Sequence, residues 1–349
     1  MRLEPRDHAP LVLLIAAPVA AAALALVISA VPLAWAGAPV LAAYGRLLQG
    51  ALGSTFALTE TLARATPLIL TGLAAAVAFR AKLWNIGAEG QLYAGALAAV
   101  ALGSGALGLS GAMLLPGVVL AGALAGALLL LVPALLKVRL GVDEVVTTLL
   151  LNFVVLLFVQ MMLEGPLKDP MGMGWPQSPP VLADAELPKL VARTRLHLGL
   201  VLALVLAVLA WLYTTRTVWG FEARAVGANR EAARYAGMPV GRVLLRTALF
   251  SGALAGIAGA SEVAGLKGYL TQDLSPGFGY AGIVVAMLAQ LNPLACVPAA
   301  LFVAGVFVGA DSMSRALGVS SYLANLIVAT ALLTMLLASL VTRYRLRWS

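Results

Sequence analysis

Charged side chains are scarce here: 23 basic and 15 acidic residues in a chain of 349, or 11%, where soluble domains carry about a quarter. Such a surface cannot keep a chain of this length in water. Histidine is rarer still. His8 and His197 stand near expected helix ends with no partner at ligand spacing, so no metal site is expected. The single cysteine, Cys296, excludes an internal disulfide framework, and its apolar neighbours suggest packing. No Walker A lysine loop and no nucleophile elbow occur, which removes direct ATP binding by that route and serine-type hydrolysis. The net charge of +8 raises the question of nucleic acid, but no basic stripe interleaved with aromatics is present, so none is expected as a partner.

Long apolar runs fill the space instead. Hydrophobic residues make up 62% of the chain and the mean hydropathy is +0.98, the composition of a polytopic membrane protein whose solvent is lipid. Runs near 11–35, 55–79, 86–107, 112–136, 145–163, 197–213, 243–264, 279–291, 293–310 and 322–341 predict an all-α integral membrane protein of about ten transmembrane helices. Residues 1–349 read as one transmembrane domain. Fifteen of the 23 cations fall in connections on one side if the N-terminus is cytoplasmic, among them six arginines from Arg216 to Arg246. By the excess of cations in cytoplasmic loops, both termini are expected inside. The connection at about 164–196, with six prolines, lacks that excess and is expected outside, as a lid, a docking surface or a passive connector. The first 37 residues have a signal-like charged start, but the apolar run exceeds a signal's usual length, so a retained first helix is expected.

Two glycine patterns, GSGALG at 103–108 and GFGYAG at 277–282, match the dinucleotide fingerprint by letter. Neither follows a strand in a βαβ unit, so both read as helix breaks or close contacts. GALAG at 122–126 and again at 252–256 has the small-xxx-small spacing of helix packing.

Polar chemistry at membrane depth is more informative, because a buried charge there costs at least about 2.5–3.5 kcal/mol. In FRAKLWNIGAEGQLYAG, residues 79–95, Asn85 and Glu89 are four apart and predict one helix face, with Gln91 pointing elsewhere. Gly87 and Gly90 weaken that helix. The cluster is either a substrate pathway and hinge or a hydrogen-bonded knot between helices. Asp143 and Glu144 begin a helix, where acids suit the dipole, and are expected only to cap it. The run 279–291 is too short to span, and Asn292 precedes Pro293; a discontinuous helix or a tilted one continuing through the proline would account for it. At about 215–242 a polar connection contains NREAARYAGM, a short helix closed by Gly237 that needs a partner surface to be stable.

Four ordered stretches, NIGAEGQLYAGA, VDEVVTTLLLN at 142–152, VGANREAARYAGM at 226–238 and GFGYAGIVVAMLAQLNP at 277–293, together resemble the permease subunits of ATP-binding-cassette importers in the branched-chain amino acid and simple-sugar permease family, most of all its nucleoside and simple-sugar branch. The resemblance covers about residues 55–342. Trp84 replaces the Phe expected before Asn-Ile-Gly. The resemblance implies that the loop carrying Gly227, Asn229, Ala232, Ala233 and Gly237 holds the coupling helix that docks on the ATPase. It also implies an ABC ATPase subunit that holds ATP and magnesium, a second permease subunit, homologous or identical, and an extracytoplasmic substrate-binding lipoprotein. This chain would bind no cofactor itself. The implied place is a bacterial or archaeal cytoplasmic (inner) membrane. The expected activity is import of a nucleoside or simple sugar, with Asn85, Glu89, Gln91, Asn152, Gln290 and Asn292 as polar groups near the path. An ion- or proton-coupled secondary transporter, or an importer subunit for branched-chain amino acids, are the alternatives. A membrane enzyme would need a nucleophile or metal constellation, which the sequence does not offer.

Overall fold

Apolar runs become helices in lipid because every backbone N–H and C=O must find a partner within the segment. The computed structural model describes residues 2–5, 10–105, 108 and 110–347. In chain order these form strand β1 (Arg2–Pro5) and helices α1 (Leu11–Trp35), α2 (Val40–Leu52), α3 (Thr55–Arg80), α4 (Ala88–Gly103), α5 (Leu114–Leu140) and α6 (Glu144–Glu164). After a long connection with one turn of 3-10 helix at Ala183–Ala185 come α7 (Gly199–Arg216), α8 (Val218–Ala228), α9 (Arg230–Tyr235) and α10 (Val240–Glu262), which runs into a π-helical turn at Val263–Lys267. α11 (Phe278–Leu288), α12 (Cys296–Leu317), α13 (Ser321–Arg343) and strand β2 (Tyr344–Arg347) complete the chain. β1 pairs antiparallel with β2, Arg2 opposite Arg347 and Pro5 opposite Tyr344. The remaining regular elements among the described residues are helical, as expected.

Each of the ten expected segments falls on a helix. Among the described residues seven helices are long and apolar enough to cross a membrane, or eight if α1 and α2, bent by 119° at their junction, count as one broken span. α4 and α11 are the short members, with 16 and 11 residues, about 24 and 16 Å at 1.5 Å per residue. The tilted-helix reading across Pro293 is corrected: α11 ends at Leu288, Gln290 and Leu291 take left-handed conformations (φ 51° and 61°), and α12 starts only at Cys296. α2 was not anticipated, because Arg46 and Gln49 lower the hydropathy of its short run. Ala106 and Leu107 of GSGALG, and His8, lie outside the described residues.

The chain divides into two compact units, Met1–Thr61 with Leu301–Ser349, and Leu62–Ala300. In the first, α1 packs on α13 around Ala17, Ala21 and Ala338. In the second, glycines bring α4, α5 and α10 into backbone contact. A Cβ on Gly126 would overlap the Gly252 carbonyl oxygen, one on Gly252 that of Gly126, and one on Gly256 that of Gly122. The two GALAG motifs are therefore the two sides of one seam. α4 joins it on the α10 side, where a Cβ on Gly259 would overlap the Leu92 carbonyl and one on Gly95 that of Gly256.

The connection between α6 and α7 is stitched to the exit of α10. Val181 N–H donates to Gly268 O at 2.8 Å, Leu187 N–H to Ala264 O at 2.8 Å and Ser178 N–H to Leu270 O at 3.0 Å. His197 is buried beneath it and its Nδ1 accepts the Gly199 N–H at 3.1 Å. Burial first, and the charge of Lys189 second, push its pKa down to about 4, so it stays neutral at ordinary pH.

Overpacking a filled interior costs about 1–3 kcal/mol, and here the obstacle is backbone. Gly256→Val is expected to lower the thermal unfolding temperature of the detergent-purified protein and broaden its size-exclusion peak. Gly45→Val, with open space around its Cβ position, should leave both close to wild type.

Candidate functional site

The site begins where α3 stops. Leu83 N–H reaches back to Ala78 O at 3.1 Å and Lys82 N–H to Phe79 O at 3.0 Å, the paired bonds that close a helix through a left-handed residue. That residue is Lys82, at φ 49°, where glycine would be usual. Residues 83–87 then run unwound until α4 starts at Ala88. The expectation that Asn85 and Glu89 share one helix face is thus corrected: Asn85 lies on no helix, and its neighbours are set by the turn.

An unwound backbone in a buried place needs a partner for every polar group. α6 supplies them from residues four apart, Glu144, Thr148 and Asn152, which share one helix face. Glu144 Oε1 accepts Trp84 N–H at 3.2 Å, Thr148 Oγ1 accepts Ile86 N–H at 3.3 Å, and Asn152 Oδ1 accepts Gly90 N–H at 2.8 Å while its Nδ2 donates to Ile86 O at 3.0 Å. Gly90 has no side chain because a Cβ would stand 2.8 Å from Asn152 Oδ1 and 3.1 Å from Asn152 Cα. Asp143 caps α6 as expected, accepting Val145 N–H at 2.7 Å. Glu144 does more than cap: buried, it also pairs with Lys137 at the end of α5.

Asn85 and Gln91, expected to diverge, form a reciprocal amide pair. Asn85 Nδ2 donates to Gln91 Oε1 at 2.9 Å, and Gln91 Nε2 donates to Asn85 Oδ1 at 2.8 Å. Asn85 Oδ1 also accepts Gly87 N–H at 2.9 Å, and Nδ2 reaches Ser251 Oγ at 3.1 Å, which donates to Ala74 O at 2.7 Å. Asn85, Gln91 and Ser251 are buried, so this knot ties α3, α4 and α10 together. Glu89 turns away from it. Its Oε2 accepts Gly279 N–H at 2.6 Å, and Ser275 Oγ accepts Gly277 N–H and Phe278 N–H at 3.1 and 2.8 Å. The carboxylate thereby sits in the first turn of α4 and against the N-terminus of α11, where both helix dipoles favour negative charge. A Cβ on Gly279 would overlap the Glu89 amide nitrogen, so α11 approaches α4 at backbone contact.

Within this network two side chains keep substantial surface, Trp84 at 43% and Tyr280 at 39%. The Tyr280 hydroxyl oxygen accepts an Asn152 Nδ2–H at 3.1 Å. Gln290 and Asn292 are placed elsewhere: Gln290 is exposed in the left-handed exit of α11, and Asn292 Oδ1 caps the next turn by accepting Leu294 N–H at 3.1 Å. The sequence reasoning missed Glu144, Thr148, Ser251 and Tyr280. The first two were signalled by the four-residue polar spacing that ends at Asn152 in an otherwise apolar helix.

α9 is the helix expected in the polar connection. Asn229 Oδ1 accepts the N–H groups of Glu231 and Ala232 at 2.9 and 3.1 Å. Its end is closed through Gly237 (φ 79°), with Met238 N–H on Ala233 O and Gly237 N–H on Arg234 O, both at 3.0 Å. Ala233 is buried, whereas Ala232, Gly237 and Tyr235, the last at 93% exposure, face outward. Gly227 lies against the end of α3, where a Cβ would overlap the Arg80 carbonyl oxygen, and Arg230 donates to Lys82 O at 2.9 Å.

A buried group left without its partner costs roughly 1–3 kcal/mol. Asn152→Ala removes partners from Gly90 N–H and Ile86 O together and is expected to destabilise more than Thr148→Val, which orphans Ile86 N–H alone. Thermal unfolding of the two purified variants checks the order, and equal effects would contradict the ladder.

The model of the family described as branched-chain amino acid transport system / permease component matches residues 57–340. The glucose ABC transporter permease protein TsgB13 of Haloferax volcanii is 37% identical, over 99% of this chain and 93% of its own. The guanosine ABC transporter permease protein NupP of Bacillus subtilis is 36% identical over 90% and 91%, and the nucleoside ABC transporter permease protein NupB of Lactococcus lactis 32% over 78% and 77%.

Proposed function

The chain belongs to the permease-component family of branched-chain amino acid transport systems, and from that membership we propose that it forms half of the translocation path of an ATP-binding-cassette importer for a nucleoside or simple sugar. It is a transport subunit and not an enzyme. ATP and magnesium belong to a separate ATPase subunit, a second permease subunit completes the path, and an extracytoplasmic lipoprotein delivers the substrate. The observation that carries the reading is the likeness to permease proteins named for glucose, guanosine and nucleosides over most of the chain. Branched-chain amino acids would call for paired sites for an ammonium and a carboxylate. The network offers amides, hydroxyls and an exposed tyrosine ring, which suit neutral hydroxylated substrates and stacking, while its buried carboxylate at Glu89 is engaged with Gly279.

Asn85, Gln91 and Asn152 spend their hydrogen bonds inside the chain, so we assign them to holding the unwound segment that borders the path. Tyr280, whose ring is half free, is the side chain we place against substrate. Ala232 and Tyr235 form the outward face of α9 and would meet the ATPase, whereas Asn229, Ala233 and Gly237 give that helix its shape and seat. ATP binding would draw the two ATPases together, move α9 and shift the access of the path. The cation excess at Arg216–Arg246 and the β1–β2 pairing of the two ends support a cytoplasmic position for α9 and both termini in a multi-pass cell membrane protein.

Three measurements test this. Proteoliposomes holding the permease, its ATPase and its binding protein are expected to take up guanosine or glucose only with ATP, and uptake without ATP, driven by an ion gradient, would overturn the reading. Tyr280→Ala should weaken uptake by a factor that matches the roughly 1–3 kcal/mol of an aromatic stacking contact, with ATPase co-purification unchanged. Met171→Cys and Glu231→Cys flank α7 at opposite ends and are both exposed, and Cys296 is buried. Impermeant thiol reagents should label the first from outside the cell and the second only after permeabilisation.

A further inference from the structure

We propose that the turn Arg80–Asn85 is the element that receives the motion of α9, so that Gly227 and Arg230 act as positioning residues for the polar knot without touching substrate. The inference rests on the ATP-coupled reading above. Two carbonyl groups at and just past the end of α3, two residues apart, face α8 and α9: Gly227 of α8 lies directly against that of Arg80, and the Arg230 guanidinium of α9 donates to that of Lys82 at 2.9 Å. Three residues after Lys82 stands Asn85, whose N–H donates to Leu83 O at 3.0 Å and whose side chain completes the pair with Gln91. No compliant loop lies between the two, because each intervening residue is fixed: Leu83 is buried and bonded back to Ala78, and Trp84 N–H is held by Glu144 while its ring packs edge-on against Phe79 at 4.8 Å.

The same turn reaches a second broken helix. Arg80 Nε donates to Leu291 O at 2.9 Å, in the exit of α11 where Gln290 and Leu291 are both left-handed. Lys82, Gln290 and Leu291 hold conformations that side-chain-bearing residues seldom adopt, which is how a segment with a second arrangement close in energy is built. A displacement of α9 therefore reaches the end of α3 and the exit of α11 through Arg80 and Lys82, and reaches the Asn85–Gln91 pair through the turn. Spatial adjacency alone does not make such a route; an element that both ends bias does.

The test uses the reconstituted transporter and reads substrate moved per ATP hydrolysed. Arg230→Met removes the donor to Lys82 O, while Arg230→Lys keeps a cation able to reach it. Arg230→Met is expected to retain the ATPase and its hydrolysis but to lower the ratio severalfold, with most of it restored in Arg230→Lys. Lys82→Cys, at an exposed side chain whose backbone carbonyl alone takes part in the contact, should change its labelling rate between nucleotide-free and nucleotide-bound transporter, and that change should vanish when Arg230→Met is added. An unchanged ratio, or a nucleotide response that survives Arg230→Met, overturns the inference. Loss of the ATPase from the complex also overturns it, since Arg230 would then be a docking contact. Failure of the underlying reading looks different, because the unmutated protein would then show no ATP-driven transport.

Discussion

Everything near the site follows from one requirement: a stretch of backbone that leaves helical geometry inside a membrane protein must have its N–H and C=O groups satisfied by the chain itself. Residues 83–87 have left that geometry, and the neighbouring elements are shaped by the demand. α6 carries Glu144, Thr148 and Asn152 at helical spacing because the amides of Trp84, Ile86 and Gly90 lie along its face. Gly90 is glycine because the Asn152 side chain and backbone occupy the place of its Cβ. Asn85 and Gln91 are amides because each must both give and accept within one small space.

That requirement also explains the tight seams. Side chains as short as Ser, Thr and Asn reach a neighbouring backbone only if the helices approach closely, and the glycines of α4, α5 and α10 permit it. Gly122, Gly126, Gly252 and Gly256 draw α5 against α10, which delivers Ser251 to both Asn85 and the Ala74 carbonyl. Gly279 does the same between α11 and α4, and so places the Glu89 carboxylate at the start of α11. The polar groups and the glycines are two parts of one solution.

Much of this was legible in the sequence, for identifiable reasons. Apolar runs located all ten expected helices, since hydropathy is a strong signal over twenty residues. The α9 cap at Asn229 and its closure at Gly237 were legible because capping chemistry is local. The course of residues 82–90 was not, because helix periodicity was extended through a break closed by Lys82, a residue that ordinarily avoids φ near 50° and so gives no warning. The reciprocal pairing of Asn85 with Gln91 depends on that break. Ser251 and Tyr280 were invisible to local reasoning, since each joins the network across more than a hundred residues of chain. Ala233 was read together with Ala232 as a docking residue, and only the packing of α9 separates the buried one from the exposed one.

Residues 83–87 are an ordered unwound segment in which every N–H is hydrogen-bonded, and not a loose loop. Amide hydrogen exchange of the protein in lipid nanodiscs measures this directly. The amides of Trp84, Ile86, Gly87 and Gly90 are expected to exchange about as slowly as those in the body of α4, and Asn152→Ala to speed exchange at Gly90 while leaving Trp84 protected. Exchange of the whole segment at the rate of an exposed loop in the unmutated protein would contradict it.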